Sequence, residues 1–223
     1  TSNFDKLKRL KPQYRVFFED QNHVDISGDI EKDKAMFEKM EPGSGKLFDR
    51  YLEESKQKYE ISMKSVLYKN MDSIFDLLSP EMAKAGPKMG IFQPMHQYIK
   101  GFFKHPKIQQ ILEYNLVFLG CSPQNAPSLF SLMTHVDWNL GVWYPEGGMY
   151  SIVKALVKLG KSYGVTYVYN SPVQKLLIQD GKISGVKTSQ KRYIADAVIS
   201  NADYAFTESL LADQSLRTYS VAW

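Results

Sequence analysis

The segment Gly141–Met149 combines residue types that are suited to binding an anion. It reads Gly-Val-Trp-Tyr-Pro-Glu-Gly-Gly-Met, an aromatic strand pattern that ends in a glycine pair, and an amphipathic helix pattern follows it. Because Gly147 and Gly148 lack a Cβ, the backbone can turn sharply there and another group can approach closely. A helix that begins after them points free N–H groups toward the turn, which favours an anionic ligand. A plain strand-to-helix turn is the other interpretation of this motif.

A second candidate site lies at the end of a predicted buried strand, Ala195–Asp203, which finishes in Asn-Ala-Asp. In open α/β sheets, ligands bind at the carboxyl ends of the strands. Three further strands are predicted before it, and the Asp180-Gly181 pair predicts a hairpin between the second and the third. They are Val165–Tyr169, Val173–Ile178 and Ile183–Thr188.

Other kinds of chemistry have little support. The histidines at 23, 96, 105 and 135 show no metal-ligand spacing, and no G-x-S-x-G motif is present. Cys121 has no predicted base partner, and we interpret it as a small apolar filler after a helix end. Glu113 is either an exposed helix residue, which is the simpler interpretation, or a half-buried acid. We therefore predict no metal site and assign no catalytic residue.

Five pieces of the sequence resemble, in their order along the chain, the phytoene desaturase (carotenoid desaturase) branch of the flavin-dependent amine oxidase superfamily. They are Pro12–Phe18, Gly120–Pro127, Gly141–Met149, Ser171–Val173 and Ser200–Asp203. Each piece is unspecific alone, whereas the ordered set is specific for the family. The resemblance implies an FAD-dependent oxidoreductase acting on CH–CH bonds, which introduces double bonds into a long apolar isoprenoid such as a phytoene-like carotenoid precursor.

The resemblance also implies which residues meet the FAD cofactor. Val173 matches a strand valine whose backbone meets the adenine end of the flavin dinucleotide. Gly147 and Gly148 match the turn into a helix near the cofactor, and Asn201 and Ala202 match a strand end close to the dinucleotide. These contacts are made mainly through the backbone.

The implied fold is mixed α/β (α+β), a partial FAD-linked oxidoreductase fold. A helical substrate domain framed by strands is joined to an incomplete flavin-domain sheet. We predict a polar lead-in at 1–12, the substrate domain at 13–145, part of the FAD-binding domain at 146–212 and a truncated continuation at 213–223. The family's G-x-G-x-x-G loop is missing from the sequence. We therefore expect an internal fragment that is inactive alone. Its expected partners include the missing flanking segments of its own chain.

A polyene has no polar group for the protein to bind, so its pocket should be dry and lined by large apolar side chains. Each candidate for this lining is also a candidate for the core. We interpret the group as a pocket wall because it accompanies the Pro-x-Gly-Gly turn. The predicted substrate-lining residues are Phe118, Leu129, Phe130, Met133, Trp143 and Tyr144.

Residues 85–104 combine large apolar side chains with lysines, a pattern typical of an interfacial helix that touches lipid headgroups. The alternative is that this apolar face packs against a neighbouring helix. The predicted membrane-contact residues are Phe92, Met95, Phe102, Phe103, Lys100 and Lys104.

Two other functions stay open. One is another flavin oxidoreductase of the same fold, such as an amine oxidase or a polyene saturase; a polar, aromatic-caged pocket would indicate the amine oxidase. The other is a non-catalytic lipid-binding module without flavin. Lipid binding without redox activity in the natural full-length protein would indicate the module.

Composition limits the partners and the cellular location that we expect for the protein. The 223 residues are 43% apolar and carry a net charge of +4, without an Arg-rich run that would indicate nucleic acid. The single cysteine is consistent with a reducing compartment, and no apolar run reaches membrane-spanning length. We predict a cytoplasmic location, peripheral to a membrane.

The remaining patterns predict the elements that hold these sites. A hairpin is expected from strands at 14–19 and 23–27, and a buried helix at 108–119 should end at Gly120. Asn125 is the predicted N-cap of a helix that runs to about Thr134. Further helices are predicted at 30–40, 44–69 and 73–78, a strand at 138–144 and a helix after Met149. On the long helix, Lys58 is assigned to the charged, solvated face.

Overall fold

A computed structural model describes residues 7–65, 67–68, 86 and 89–218 of the chain. The fold is mixed α/β, with small antiparallel sheets among longer helices, as predicted. The chain divides into two compact units, residues 1–157 and 158–223. The helical turns predicted at 73–78 lie outside the described residues, as does the predicted end of the long helix after Ser65.

Two antiparallel strand pairs belong to the first unit. Strand β1 (Leu7–Arg9) pairs with β4 (Trp143–Pro145), which brings the start of the described chain to the glycine turn. Strands β2 (Tyr14–Phe17) and β3 (His23–Ile26) form the second pair. The hairpin predicted from the sequence is therefore confirmed.

The first unit is built mainly from four helices. They are α1 (Ile30–Met40), α2 (Ser44–Ser65), α3 (Met95–Phe102) and α4 (Pro106–Glu113). Helix α1 begins where predicted because the carboxylate of Asp29 accepts the amide of Lys32 at 3.3 Å. The side chain of Glu38 then accepts the amides of Gly43 and Gly45, which closes the turn into α2.

The core of this unit is aromatic. The rings of Phe37 and Phe48 meet edge to face at 4.8 Å, and Phe48 meets Trp138 in the same way at 5.5 Å. The indole N–H of Trp138 donates to the buried carboxylate of Asp33 at 3.0 Å. Asp33 also accepts the amide of Ser27, so one side chain ties α1, the end of β3 and the aromatic core together.

The helix predicted through Leu119 is α-helical only to Glu113. The next residues, Tyr114–Leu119, form a 3₁₀ helix in which Val117 and Phe118 are 72% and 68% exposed. With three residues per turn, three consecutive apolar residues point to three different sides, so they cannot all face the core. Gly120 ends the segment with a φ of +61°, as predicted.

The chain after Gly120 departs further from the predictions. Cys121 is exposed and is therefore not a core filler. Ser128–Ser131 is a 3₁₀ helix preceded by Pro127, so Asn125 is not an N-cap. Helix α5 (Leu132–His135) and a π-helical turn (Val136–Leu140) follow, and the strand starts only at Trp143. The strand character of residues 138–144 predicted a strand from Trp138, but burial of that ring in a helical turn overrides the local pattern.

Helix α6 (Tyr150–Ser162) contains the boundary between the two units. The second unit holds a three-stranded antiparallel sheet of β5 (Val173–Gln179), β6 (Lys182–Thr188) and β7 (Arg192–Ile194). Asp180 and Gly181 have φ values of +52° and +72°, so the predicted hairpin turn is confirmed.

Two predicted strands of this unit are not formed. Residues 165–169 and 195–203 have no ladder partner within the described part of the chain, and Ile199 is 96% exposed. A strand pattern supplies suitable side chains, but a strand also needs a neighbour that pairs with its backbone groups. Helix α7 (Tyr204–Ser209) is capped by Asp203, whose side chain accepts a hydrogen bond from the amide of Phe206.

Candidate functional site

The glycine turn between β4 and α6 has an unusual backbone. Gly147 and Gly148 have φ values of +85° and +87°, which side-chain-bearing residues rarely adopt. The amide of Gly148 donates to the carbonyl of Pro145 at 3.1 Å, and the amide of Ser151 donates to the carbonyl of Gly148 at 3.0 Å. The turn therefore closes on itself immediately before α6 begins.

The space beside this turn is open to another group. A Cβ added to Gly148 would meet nothing closer than the Tyr144 hydroxyl at 3.8 Å, and one added to Gly147 only the Ser151 Cβ at 3.8 Å. The amides of Ser151 and Ile152 already donate to the carbonyls of Gly148 and Met149, so what this helix start offers a ligand is its partial positive charge. Such a turn fits the close approach of an anionic group such as the phosphates of a dinucleotide.

The other predicted cofactor residues belong to the second unit. Val173 is half-buried at the start of β5, where it pairs with Thr188. Asn201 and Ala202 are exposed in an irregular segment, so the prediction that they end a buried strand is wrong. Their contact with a cofactor stays a prediction.

The six predicted substrate-lining residues occupy different surroundings. Trp143 and Tyr144 lie on β4 beside the glycine turn and are 49% and 42% exposed. Leu129 packs against buried Met89, and Phe130 packs against the aromatic core. Two residues remain: Met133 is half-buried on α5, and Phe118 is exposed and packs edge to face on Tyr114.

The predicted membrane-contact face of α3 is largely buried, and this prediction is wrong for Met95, Phe102 and Phe103. They are only 1%, 7% and 0% exposed. The rings of Phe102 and Phe103 lie 5.3 and 5.9 Å from that of Tyr51 on α2, so the face packs against a neighbouring helix. Three of the predicted contacts do reach the surface, namely Phe92, Lys100 and Lys104.

A buried amine lies between α2 and the segment Ser128–His135. Lys58 is only 5% exposed, and its Nζ donates to the Ser128 carbonyl at 2.9 Å and to the Ser131 hydroxyl at 3.0 Å. The ammonium lies 3.5 Å from the ring centroid of Tyr98, whose hydroxyl donates to Glu54 at 2.7 Å. Burial lowers the pKa of Lys58 to about 8, and nearby Glu54 opposes this shift.

The sequence prediction placed Lys58 on the solvated face of the long helix, which is wrong. A signal was nevertheless present in the sequence. Tyr51, Ser55, Lys58 and Ser62 follow a spacing of four, three and four, which puts them on one side of a helix. All four are buried in the structure.

A histidine and a glutamate form a titratable pair between α3 and α4. Nδ1 of His96 lies 2.7 Å from a carboxylate oxygen of Glu113, and the Glu113 side chain is 13% exposed. The half-buried interpretation of Glu113 is therefore the correct one, because the partner histidine satisfies its carboxylate.

Within residues 7–65, 67–68, 86 and 89–218, no cluster of three or more His, Cys, Asp or Glu side chains is arranged to hold a metal ion. In the same part of the chain, none of the helices combines the length and the apolar character that crossing a membrane requires.

Comparison with known proteins places these features in a family. Residues 3–212 match the sequence pattern of the family described as flavin containing amine oxidoreductase. A carotenoid 3,4-desaturase of Haloarcula japonica is 37% identical over 214 residues, which are 96% of this chain and 43% of that protein. A zeta-carotene-forming phytoene desaturase of Myxococcus xanthus is 28% identical, over 95% of this chain and 41% of that protein.

A phytoene desaturase of Cercospora nicotianae is 32% identical, over 92% of this chain and 34% of that protein. The chain thus spans less than half the length of each of these relatives. The family pattern nevertheless covers nearly the whole chain, including β4, the glycine turn, α6 and the three-stranded sheet. The chain therefore belongs to the family of flavin-containing amine oxidoreductases.

Proposed function

We propose that the chain is part of an FAD-dependent desaturase that introduces double bonds into a long apolar isoprenoid, a phytoene-like carotenoid precursor. The observation that carries this proposal is the 37% identity to the Haloarcula carotenoid 3,4-desaturase over 96% of the chain. The open, positive-φ turn at Gly147 and Gly148 supports it, since backbone there is accessible to an anionic cofactor.

The proposed reaction makes few demands on polar side chains. A carbon–carbon single bond becomes a double bond when the substrate loses a hydride and a proton. FAD, when bound, supplies the acceptor for the hydride. The backbone at Gly147 and Gly148 would hold the cofactor, while Trp143 and Tyr144 would keep water from its surroundings. The proton would pass to a base, and no side chain of the described residues is assigned to that role.

The same proposal assigns a role to each part of the chain. Residues 13–145 would form the substrate domain, and residues 146–212 would contribute to the FAD-binding domain. Val173, Asn201 and Ala202 would meet the dinucleotide through their backbone. Flanking segments of the same natural protein would supply the remaining cofactor contacts.

We further propose peripheral contact with a membrane, because an apolar isoprenoid partitions into lipid. Phe92 is 95% exposed and supports a contact there, together with the exposed Lys100 on α3 and Lys104 just after its end. Phe92→Ser should weaken co-sedimentation of the intact protein with anionic liposomes. The matched control is Phe17→Ser, which removes another exposed ring, 71% exposed, from β2. Equal liposome binding by the two variants would contradict a contact at Phe92.

The function is tested on the intact natural protein, whose reading frame is first established by sequencing both sides of this coding segment. The protein is purified, its visible spectrum is recorded for bound flavin, and it is incubated with phytoene in liposomes. Chromatography with absorbance detection then follows the product. We expect bound flavin and a red-shifted product, because each added conjugated double bond lengthens the polyene.

The alternatives give different results in the same experiment. Bound flavin with oxidation of amines and no change in phytoene would indicate an amine oxidase. Consumption of a conjugated polyene with a blue shift would indicate a saturase. Lipid binding by a protein that cannot be reconstituted with flavin would overturn the proposal in favour of a lipid-binding module.

A further inference from the structure

We propose that Lys58 is a positioning residue, which holds the segment Ser128–His135 in place and so sets how tightly the isoprenoid is bound. This inference rests on the proposed function. The segment carries Leu129, Phe130 and Met133, half of the predicted substrate-lining residues.

The amine reaches the segment from a distant part of the chain. Lys58 lies on α2, 70 residues before Ser128, yet its Nζ donates to the Ser128 carbonyl at 2.9 Å and to the Ser131 hydroxyl at 3.0 Å. Both serines are fully buried. Removing the amine therefore leaves two buried acceptors without their donor, and water cannot easily reach them to replace it.

The segment is also fastened at Ser128 by bonds to two carbonyls that precede α3. The Ser128 amide donates to the Gln93 carbonyl at 2.7 Å, and the Ser128 hydroxyl donates to the Gly90 carbonyl at 3.0 Å. These bonds hold only its first residue. Lys58 adds a contact at Ser131, one turn further on, which constrains the direction in which the segment leaves that anchor.

The amine is itself held in a defined position. Its charge faces the ring of Tyr98 at 3.5 Å, a cation–π contact, and the Tyr98 hydroxyl is bound to Glu54 one turn before Lys58. The donor geometry is thus set by α2 and α3 together. A shift of the segment would displace Leu129 and Phe130, which lie between the two anchored serines.

Three variants of the intact protein test the inference. Lys58→Met keeps the length of the side chain but removes its donors, and Lys58→Arg keeps positively charged donors. Lys64→Met is the control, since Lys64 is exposed on the same helix. Backbone hydrogen exchange is measured at 128–135, and KM and kcat are measured with phytoene in liposomes.

We expect Lys58→Met to speed exchange within 128–135 and to raise KM by about fivefold, the size of one lost hydrogen bond, with little change in kcat. Lys58→Arg should recover part of both effects, and Lys64→Met should show neither. Unchanged exchange in Lys58→Met would overturn the anchoring. Faster exchange with an unchanged KM would overturn the link to the substrate.

Failure of the proposed function has a separate signature. In that case the wild-type protein itself would not convert phytoene, whatever the state of Lys58. The link to an isoprenoid would then fall with the function, while the exchange data alone would decide whether Lys58 anchors the segment.

Discussion

Gly148 combines a backbone conformation that only glycine adopts without strain with open space beside it, and the two features can be separated by experiment. Gly43 also has a positive φ, +90°, and nothing within 4 Å of an added Cβ, so it is a matched control. Alanine at either position should cost roughly 1–2 kcal/mol of conformational strain. Only at Gly148 would the new methyl group also meet the proposed cofactor.

We therefore expect Gly148→Ala to lower the ratio of flavin to protein in the purified intact protein well below that of Gly43→Ala. The measurement is flavin absorbance against protein concentration, with the melting temperature of each variant as the check on stability. If both variants keep the same flavin content, the turn is not a cofactor contact.

Lys58 makes the stability of the fold depend on pH in a direction that can be worked out. Its pKa is about 8 in the folded chain against an ordinary 10.5. Between these values the unfolded chain holds a proton that the folded chain has released, so the free energy of unfolding rises with pH. The slope is at most about 1.4 kcal/mol per pH unit.

Lys58→Met should lose this contribution, so the wild-type protein should gain stability relative to the variant from pH 7.5 to 9.5. Urea unfolding of the intact protein at several pH values measures the difference. Lys64→Met should keep the wild-type slope. Parallel pH profiles for wild type and Lys58→Met would show that the amine titrates normally.

At the scale of elements, the sheet of the second unit depends on the absence of a side chain in β6. A Cβ on Gly185, whose φ is +150°, would collide with the Tyr193 carbonyl oxygen and lie 3.0 Å from the Ile194 Cα. Both neighbours are backbone atoms of β7 and cannot rotate away as a side chain could. The register of β6 and β7 therefore requires glycine at this position.

Gly185→Ala should separate β7 from β6 and reduce stability by about 2 kcal/mol or more, as changes that force backbone apart usually do. The amide of Ala195, which donates to the Ser184 carbonyl at 3.1 Å, should exchange faster with solvent. Gly181→Ala is the control. Alanine is strained at a φ of +72°, but nothing lies within 4 Å of the added Cβ. Equal exchange at Ala195 in both variants would argue against the steric account.

At the scale of the whole molecule, helix α6 presents apolar side chains to solvent. Tyr150, Val153 and Leu156 are 66%, 47% and 53% exposed. Large contiguous apolar surfaces are usually covered by a partner or by another part of the protein. The 223 residues produced alone should therefore self-associate, since water contact with this face is unfavourable.

Leu156→Glu should reduce this association, because it places a charge within the apolar face. Ser162→Glu introduces the same charge at an exposed position on the same helix and should have little effect. Sedimentation velocity over a range of concentrations measures both. A wild-type chain that stays monomeric throughout would contradict the prediction.

The sequence by itself determined several of the local elements and the family. The sequence predicted the helix at 30–40, the hairpin of β5 and β6 at Asp180-Gly181, and a flavin oxidoreductase from the ordered motifs. These features depend on residues close together in the chain, where capping, turn geometry and periodicity act directly.

Only the tertiary structure decided which apolar and charged faces are buried. The apolar face of α3 reads equally well as a lipid contact and as a helix contact, and the packing of Phe103 on Tyr51 selects the second. Lys58 reads as a solvated lysine until the carbonyl of Ser128, 70 residues away, is seen to accept its hydrogen bond. Burial and pairing join residues that are distant in sequence, so their physical basis is absent from any local pattern.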